Sequence, residues 1–402
     1  MQRPLGQPTL FVIVYAGVAS ALYFTLGAVA DRALGLTPLV FLLAGVLFAL
    51  AAFTYVEGAS LHQERAGSTV FARYAFNELV SFVAGWALLL DYVLIVAAAS
   101  LSATHYLAPL VPGADDDGAV EVLLTLGVVA LVAVSNVRGF TAGQRVPRIA
   151  ALVALDLALQ VGLVVLGLAQ FFDLEAITAP IDLGTSPAWR DVAFAAGIAM
   201  VVFTGLESAS GLAGEVRVGR AGLRRLVASA TATVMVLYVG VAVVAISAMP
   251  VAGGRTALGG EALEAPVLGI TMRLEPAGLA DALTYLVAVV AALTLVAAAN
   301  SAMLGLSRLG YSLARNRQIP SALGRLHPSR ATPFVLIGLA ALVAGRARTA
   351  SRSTSACAAS RCRCRRWPVP RCPGSSGCRW SPRTAARASS AGCGWPSASA
   401  ST

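Results

Sequence analysis

The stretch LFVIVYAGVASALYFTLGAVA, residues 10–30, decides the fold of this chain. It carries no charge over 21 residues, and a helix of about 20 apolar residues crosses the hydrocarbon core of a membrane. Five small residues stand in its middle: Gly17, Val18, Ala19, Ser20 and Ala21. Such a run has two interpretations, because it lets two helices pack closely or it interrupts the helix and opens backbone groups toward a cavity.

The whole chain has the composition of an integral membrane protein. Of its 402 residues, 57% are hydrophobic and 12% are charged, whereas soluble proteins carry about 25% charged residues. Further apolar segments follow at residues 39–55, 85–107, 120–136, 149–171, 192–213, 226–249 and 279–307. Together with the first stretch they predict about eight full spans, and the run up to residue 345 is only part of a ninth. We therefore expect an all-α, multi-pass membrane protein.

Residues 346–402 differ from everything before them. They hold 11 of the 30 arginines, all six cysteines and no acidic residue, and they show no apolar periodicity. The change falls abruptly inside the apolar run of the ninth span. We interpret residues 1–345 as a membrane transport domain and residues 346–402 as a disordered, Arg/Ser/Cys-rich tail that is read out of frame. We expect neither a metal site nor nucleic-acid binding from this tail.

The arginines predict the orientation of the chain in the membrane. If the N-terminus is cytoplasmic, the inner segments carry 15 of the 19 arginines in residues 1–345. The four outer ones are Arg32, Arg190, Arg255 and Arg273. Because cytoplasmic loops are rich in Lys and Arg, we expect an N-terminus on the cytoplasmic side of the cell membrane. The inner arginines are expected to contact lipid headgroups.

A second interrupted span is predicted at residues 201–208, VVFTGLES. Gly205 stands in the middle of this apolar segment, and Glu207 places a carboxylate in or near the bilayer. An unpaired charge there costs at least about 2.5–3.5 kcal/mol, so Glu207 should face protein or water. The first and sixth spans hold corresponding places in two halves of five spans. An odd number of spans per half gives inverted repeats, and paired interrupted spans indicate a binding site.

Short segments spread over residues 8–333 resemble the permeases of the amino acid–polyamine–organocation superfamily. They are GVASA at 17–21, TYVEG at 54–58, GWALLLDY at 85–92, NVRG at 136–139, FTGLE at 203–207, ANSAML at 299–304 and RNRQIP at 315–320. The resemblance implies a five-plus-five inverted-repeat transporter fold. The fold is expected to be incomplete here, with a first repeat at about 8–171 and a partial second repeat at about 190–345.

The same resemblance implies a site for a small-molecule substrate, an amino acid or a related amine. Backbone N–H groups at residues 17–21 would hold its carboxylate, and carbonyls near Phe203, Thr204 and Gly205 would meet its ammonium group. Helix N-termini favour anions and C-termini favour cations, which supports this pairing. Tyr23, Phe203 and Leu206 would gate or size the pocket. Ser20 could add a hydroxyl to this site or instead bond to its own helix backbone, and Phe203 could serve ordinary packing.

Asp156 is the candidate coupling residue, because proton-coupled members of this superfamily can carry a titratable residue near this depth. It lies in the fifth span, with Gln160 one turn later on the same face, so a purely structural bond between the two is the alternative. A sodium site would need more oxygen ligands than span eight offers around Asn300, which favours H+ as the coupling ion. Glu207 could gate, bind a cationic substrate or pair with an inner arginine. We expect Asn300 to bridge helices and His105 to be a solvated residue at the end of its span.

The sequence therefore predicts a secondary-active permease for amino acids or related amines, a symporter or antiporter driven by protons. It contains no P-loop and no histidine cluster, so we expect no enzyme, no cofactor and no metal site. The alternative is a transport-inactive membrane protein, either a nutrient receptor on the same scaffold or a non-functional truncated copy.

Overall fold

The computed structural model describes the larger part of the membrane domain. The described residues are 15, 18–61, 68–114, 118–138, 142–173, 178, 186–203, 220–328, 330 and 332–346. Residues 347–402 of the tail predicted at 346–402 and the second predicted interruption around Gly205 and Glu207 lie outside these residues.

Helices dominate the described residues, in which no β-strand occurs. In chain order they are α1 (Leu22–Ala33), α2 (Thr37–Leu61), α3 (Ser68–Ala75), α4 (Glu78–Tyr106), α5 (Ala119–Val137), α6 (Ala142–Phe171), α7 (Trp189–Val202), α8 (Arg220–Ala248), α9 (Pro266–Thr271), α10 (Ala277–Arg315) and α11 (Phe334–Arg346). Short 3₁₀ turns at Leu34–Leu36, Ala257–Gly259 and Ser321–Gly324 connect some of them.

Six segments of the described chain are long and apolar enough to cross a membrane. They are Leu22–Tyr55, Glu78–Tyr106, Ala119–Val137, Ile149–Phe171, Val227–Ala248 and Ala277–Arg315. The first of them is two helices, because Leu34 has φ 51° and a residue with positive φ cannot continue a right-handed helix. The helix α7, with 14 residues, begins the predicted sixth span, and α11 is the predicted partial ninth. The expected all-α membrane architecture is confirmed, and the two-repeat division stays a prediction.

Within the described part of the chain the apolar side chains form two hydrophobic cores, and α1 contributes to both. The first core joins α4 and α10 through residues such as Val96, Tyr106 and Leu295. The second joins α2, α7 and α8. On α1, Tyr23 belongs to the first core, whereas its neighbour Leu22 belongs to the second. The helix α1 therefore lies between the two cores, where a small movement of it changes contacts on both sides.

Small residues and one polar bridge fix the helices of the first core. At Gly305 of α10 an added Cβ would lie 2.8 Å from the ring of Tyr92 on α4, so only glycine admits this approach. Asn136 of α5 donates to Oδ1 of Asn300 on α10 at 2.9 Å. The predicted role of Asn300 as a helix bridge is therefore confirmed.

Candidate functional site

A buried carboxylate at the middle of α6 is the centre of the candidate site. Asp156 is fully buried, and its Oδ1 accepts a hydrogen bond of 2.6 Å from the hydroxyl of Tyr23 on α1. Its Oδ2 accepts one of 2.9 Å from Nε2 of Gln160, one helical turn later. Thr294 of α10 lies at the limit of bonding distance, with Oγ1 3.5 Å from Oδ1. Three helices therefore converge on one carboxyl group.

Tyr23 is itself held from the opposite side. The hydroxyl of Tyr106, the last residue of α4, donates to the carbonyl of Tyr23 at 3.0 Å. The two rings meet edge to face with centroids 5.3 Å apart, an arrangement that aromatic pairs favour. The Tyr106 hydroxyl also accepts from the backbone N–H of Val267 at 3.3 Å. These bonds fix both the backbone and the ring of Tyr23, and with them the donor to Asp156.

The α-helical hydrogen-bond ladder is interrupted just before Tyr23. Val18 and Ala19 are helical, Ser20 and Ala21 form a turn, and α1 begins at Leu22. Through this turn the N–H of Ala21 donates to Val18 at 3.1 Å, and that of Tyr23 to Ser20 at 3.3 Å. These bonds span three residues instead of four, as in a 3₁₀ turn. The interruption falls within the stretch of small residues at 17–21.

An aromatic cluster lies beside this turn. Tyr238 of α8 donates a short hydrogen bond to the carbonyl of Val18. Its ring centroid lies 5.2 Å from that of Phe203, the residue that follows α7. Phe203 in turn stacks on Phe48 of α2 at 5.1 Å. Phe203 and Tyr238 are fully buried, so the cluster forms a dense apolar wall next to the interrupted backbone.

The structure brings together part of the predicted site. Tyr23 contacts Asp156 directly, and Tyr238 links Val18 to Phe203. Ala19, Ser20 and Ala21 are buried within the same stretch. Gly17, Thr204, Gly205, Leu206 and Glu207 lie outside the described residues. The predicted pairing of carboxylate and ammonium sites therefore stays a prediction, as does the coupling role of Asp156.

Sequence reasoning missed three polar side chains of this site, which are Tyr106, Tyr238 and Thr294. Each lies in a long apolar segment, and all three are buried. A hydroxyl in such a segment needs a hydrogen-bond partner inside the protein. This requirement could have marked the three residues as candidates from the sequence. The partners themselves come from distant helices and could not be read from any one segment.

His105 does not lie where the sequence predicted. Instead of being solvated, its side chain is 4% exposed at the end of α4. Its Nε2 lies 2.9 Å from Oε1 of Glu121 on α5 and 3.3 Å from Oε2 of Glu264. The expectation of a solvated residue was wrong because α5 begins beside the end of α4 and brings a buried carboxylate to the imidazole.

No group of three or more His, Cys, Asp or Glu side chains within the described residues is arranged to hold a metal ion.

Comparison with known proteins supports this picture over most of the chain. A family described as "Amino acid permease" matches residues 5–346. The methylthioribose transporter of Bacillus subtilis is 24% identical over 341 residues, which cover 81% of this chain and 70% of that protein. An uncharacterized transporter of Mycobacterium tuberculosis is 28% identical over 357 residues, covering 87% of this chain and 74% of its own length.

Solved structures share the fold. Crystal structures of two mutants of a manganese transporter from Eremococcus coleocola align with a TM-score of 0.53 at 13% identity. The alignment covers 88% of this chain and 71% of theirs. At this identity the likeness establishes the helical fold alone.

Proposed function

This chain belongs to the amino acid permease family, and on that premise we propose that it is a secondary-active permease for amino acids or related amines, driven by protons that bind at Asp156. It is a multi-pass membrane transporter and not an enzyme. The placement in the cell membrane with a cytoplasmic N-terminus is part of the proposal and rests on the distribution of arginines. We propose the same five-plus-five repeat relation between the first and sixth spans.

The single observation that carries the coupling proposal is the bond between Tyr23 and Asp156. It ties a fully buried carboxyl group on α6 to the residue that follows the interruption before α1. A buried ionisable group within a membrane is costly and marks a functional site by default. Because the same carboxyl group contacts α1, α6 and α10, a change in its protonation state alters the contacts of all three helices.

The surroundings of Asp156 can accommodate both of its protonation states. As a carboxylate it accepts from Tyr23 and Gln160. Once protonated, it needs an acceptor for its own O–H, and Oε1 of Gln160 is buried without a hydrogen-bond partner among the described residues. Rotation of the Gln160 amide exchanges its N–H₂ and its oxygen, which would give the protonated acid its acceptor. Gln160 therefore acts as an adaptable partner and supports reversible protonation.

The proposed substrate site lies between the turn at Ser20–Ala21 and the aromatic cluster of Phe48, Phe203 and Tyr238. A turn with bonds over three residues leaves backbone groups with weaker partners than a regular helix does. The apolar wall strengthens any polar contact made next to it. The likeness to a methylthioribose transporter widens the substrate class to be tested, because that compound is not an amino acid.

Uptake by the purified protein in sealed vesicles tests this function. The vesicles receive a proton gradient, inward in one set for a symporter and outward in another for an antiporter, and a panel of radiolabelled amino acids, amines and methylthioribose. The proposal predicts accumulation of at least one amino acid or amine that collapses when the gradient is dissipated. Accumulation of methylthioribose alone would overturn the substrate class, and accumulation that ignores the gradient would overturn the coupling. Binding of a compound without flux would identify a receptor.

A further inference from the structure

The linker between α8 and α10, residues 249–276, lies directly against α1. At Gly27 of α1 an added Cβ would come within 2.3 Å of the carbonyl oxygen of Leu263. At Gly259 of the linker it would come within 2.7 Å of the Cα of Asp31. Backbone therefore packs on backbone at both points, and no larger residue fits without a shift.

The same linker is held on its other side by the end of α4. Glu264 lies 3.3 Å from Nε2 of His105, and Glu121 of α5 lies 2.9 Å from the same nitrogen. The next residue of α4, Tyr106, accepts from the N–H of Val267 and donates to the carbonyl of Tyr23. The linker therefore bridges α4 and α1 immediately beside the residue that contacts Asp156.

We propose that Glu264, His105 and Glu121 form a pH-responsive latch that holds the 249–276 linker across α1 and α4. A protonated imidazole attracts both carboxylates through its positive charge, whereas a neutral imidazole has no net charge and offers them at most the single N–H on Nε2. The latch is therefore tighter at low pH and looser at high pH. Since the linker packs on Gly27 of α1, its release frees the helix that carries Tyr23.

The two carboxylates of the latch differ in burial, and this difference decides which of them can move. Glu121 is fully buried and the His105 side chain is 4% exposed, whereas Glu264 is 56% exposed. Glu121 and His105 are held together in the interior, whereas Glu264 can move away from His105 into solvent. His105 and Glu264 both line a cavity of about 520 Å³. Among the described residues, the other charged side chains that line this cavity are Glu261 and Arg273, and Arg273 donates to the carbonyl of Ala248 at 3.0 Å.

The effect of the latch on transport rests on the proposed function, but the latch itself can be measured without transport. The full-length protein is placed in lipid nanodiscs, and hydrogen–deuterium exchange of linker peptides is followed for wild type and Glu264→Gln. Both proteins are compared at about pH 5.5 and about pH 8, on either side of the ordinary titration range of histidine. The ratio of the two exchange rates at each pH cancels the intrinsic pH dependence of exchange.

At the lower pH we expect the linker of Glu264→Gln to exchange about threefold faster than that of wild type, because the variant loses a half-exposed ion pair. At the higher pH the ratio of the two exchange rates should approach one. Glu261→Gln is the matched control, because Glu261 lines the same cavity and makes no ion pair with His105 among the described residues. A ratio for Glu264→Gln that is the same at both pH values overturns the proposal, as does an equal effect of Glu261→Gln. Either result leaves the uptake experiment unaffected, so the two proposals fail independently.

Discussion

Tyr23 and Asp156, which are 133 residues apart in the chain, are joined by a hydrogen bond of 2.6 Å between the phenol and Oδ1. The bond connects the helix that follows the turn at Ser20–Ala21 to the middle of α6. Any ligand that displaces Tyr23 must therefore also change the environment of the carboxyl group. By linkage, a proton that binds Asp156 must change the affinity for that ligand in return.

Asp156→Asn should abolish coupling while it preserves the fold. Asparagine keeps an oxygen that accepts from Tyr23, but it cannot bind or release a proton. We expect the stimulation of uptake by a proton gradient to fall to about one, while exchange of substrate at equal pH remains measurable. Asp281→Asn, an exposed aspartate on α10, is the control and should behave as wild type. Gradient-driven uptake that persists in Asp156→Asn would remove this residue from the mechanism.

Tyr23→Phe removes the strongest donor to Asp156 and keeps the ring that packs on Tyr106. The carboxyl group then loses one of its buried partners, so we expect the free energy of unfolding to fall by about 1–3 kcal/mol. The pH dependence of uptake should shift as well, because the hydroxyl contacts the ionised form. Tyr285→Phe is the matched control, since Tyr285 on α10 is exposed. Thermal denaturation in detergent and a pH profile of uptake measure the two effects. Equal results for both variants would contradict this assignment.

Part of this site could be predicted from the sequence and part could not. Asp156 and Gln160 are four residues apart, and this spacing places them on one helix face, as the structure shows. The donors Tyr23 and Thr294 come from α1 and α10, and the periodicity of a single segment carries no information about which helices meet. The spans at α4, α5, α6, α8 and α10 were predictable because apolar length alone decides them, and each is long and apolar enough to cross a membrane.

The prediction that His105 is solvated was wrong because it considered only the neighbouring residues in the sequence. The residue closes an apolar segment and is followed by three aspartates at 115–117, so the neighbouring sequence predicts a solvated position. Glu121 lies in the first turn of α5, where the helix N-terminus favours a carboxylate. The connection between α4 and α5 brings these two residues together, and burial of both then follows from their pairing. The sequence offered one indication of this pairing, because Glu121 is a single glutamate among the apolar residues at the start of α5.

The bridge between Asn136 and Asn300 should contribute to stability without affecting coupling. Asn136 also donates to the carbonyl of Val132 at 2.9 Å, so loss of Asn300 leaves it one partner. We expect Asn300→Leu to reduce the free energy of unfolding by about 1 kcal/mol, as for other polar bridges between membrane helices. The double variant Asn136→Leu with Asn300→Leu should cost less than the sum of the single ones, because it leaves no unpaired amide. Strict additivity in denaturation experiments would show that the two side chains do not interact.

Tyr238→Phe separates the hydroxyl that holds Val18 from the aromatic packing around it. The phenylalanine ring retains its contacts with Phe203 and Phe41, whose centroids lie 5.2 Å and 5.8 Å from that of Tyr238. The carbonyl of Val18 then keeps only the N–H of Ala21 at 3.1 Å among its described donors, so the turn at Ser20–Ala21 loses its external anchor.

If this turn holds the substrate, affinity for the best-transported compound should fall about tenfold, the equivalent of one strong hydrogen bond. Equilibrium binding to the purified protein measures this affinity, and Tyr311→Phe on α10 is the control for loss of a tyrosine hydroxyl elsewhere. Reduced thermal stability with unchanged affinity would make the bond purely structural and would place the substrate away from this turn.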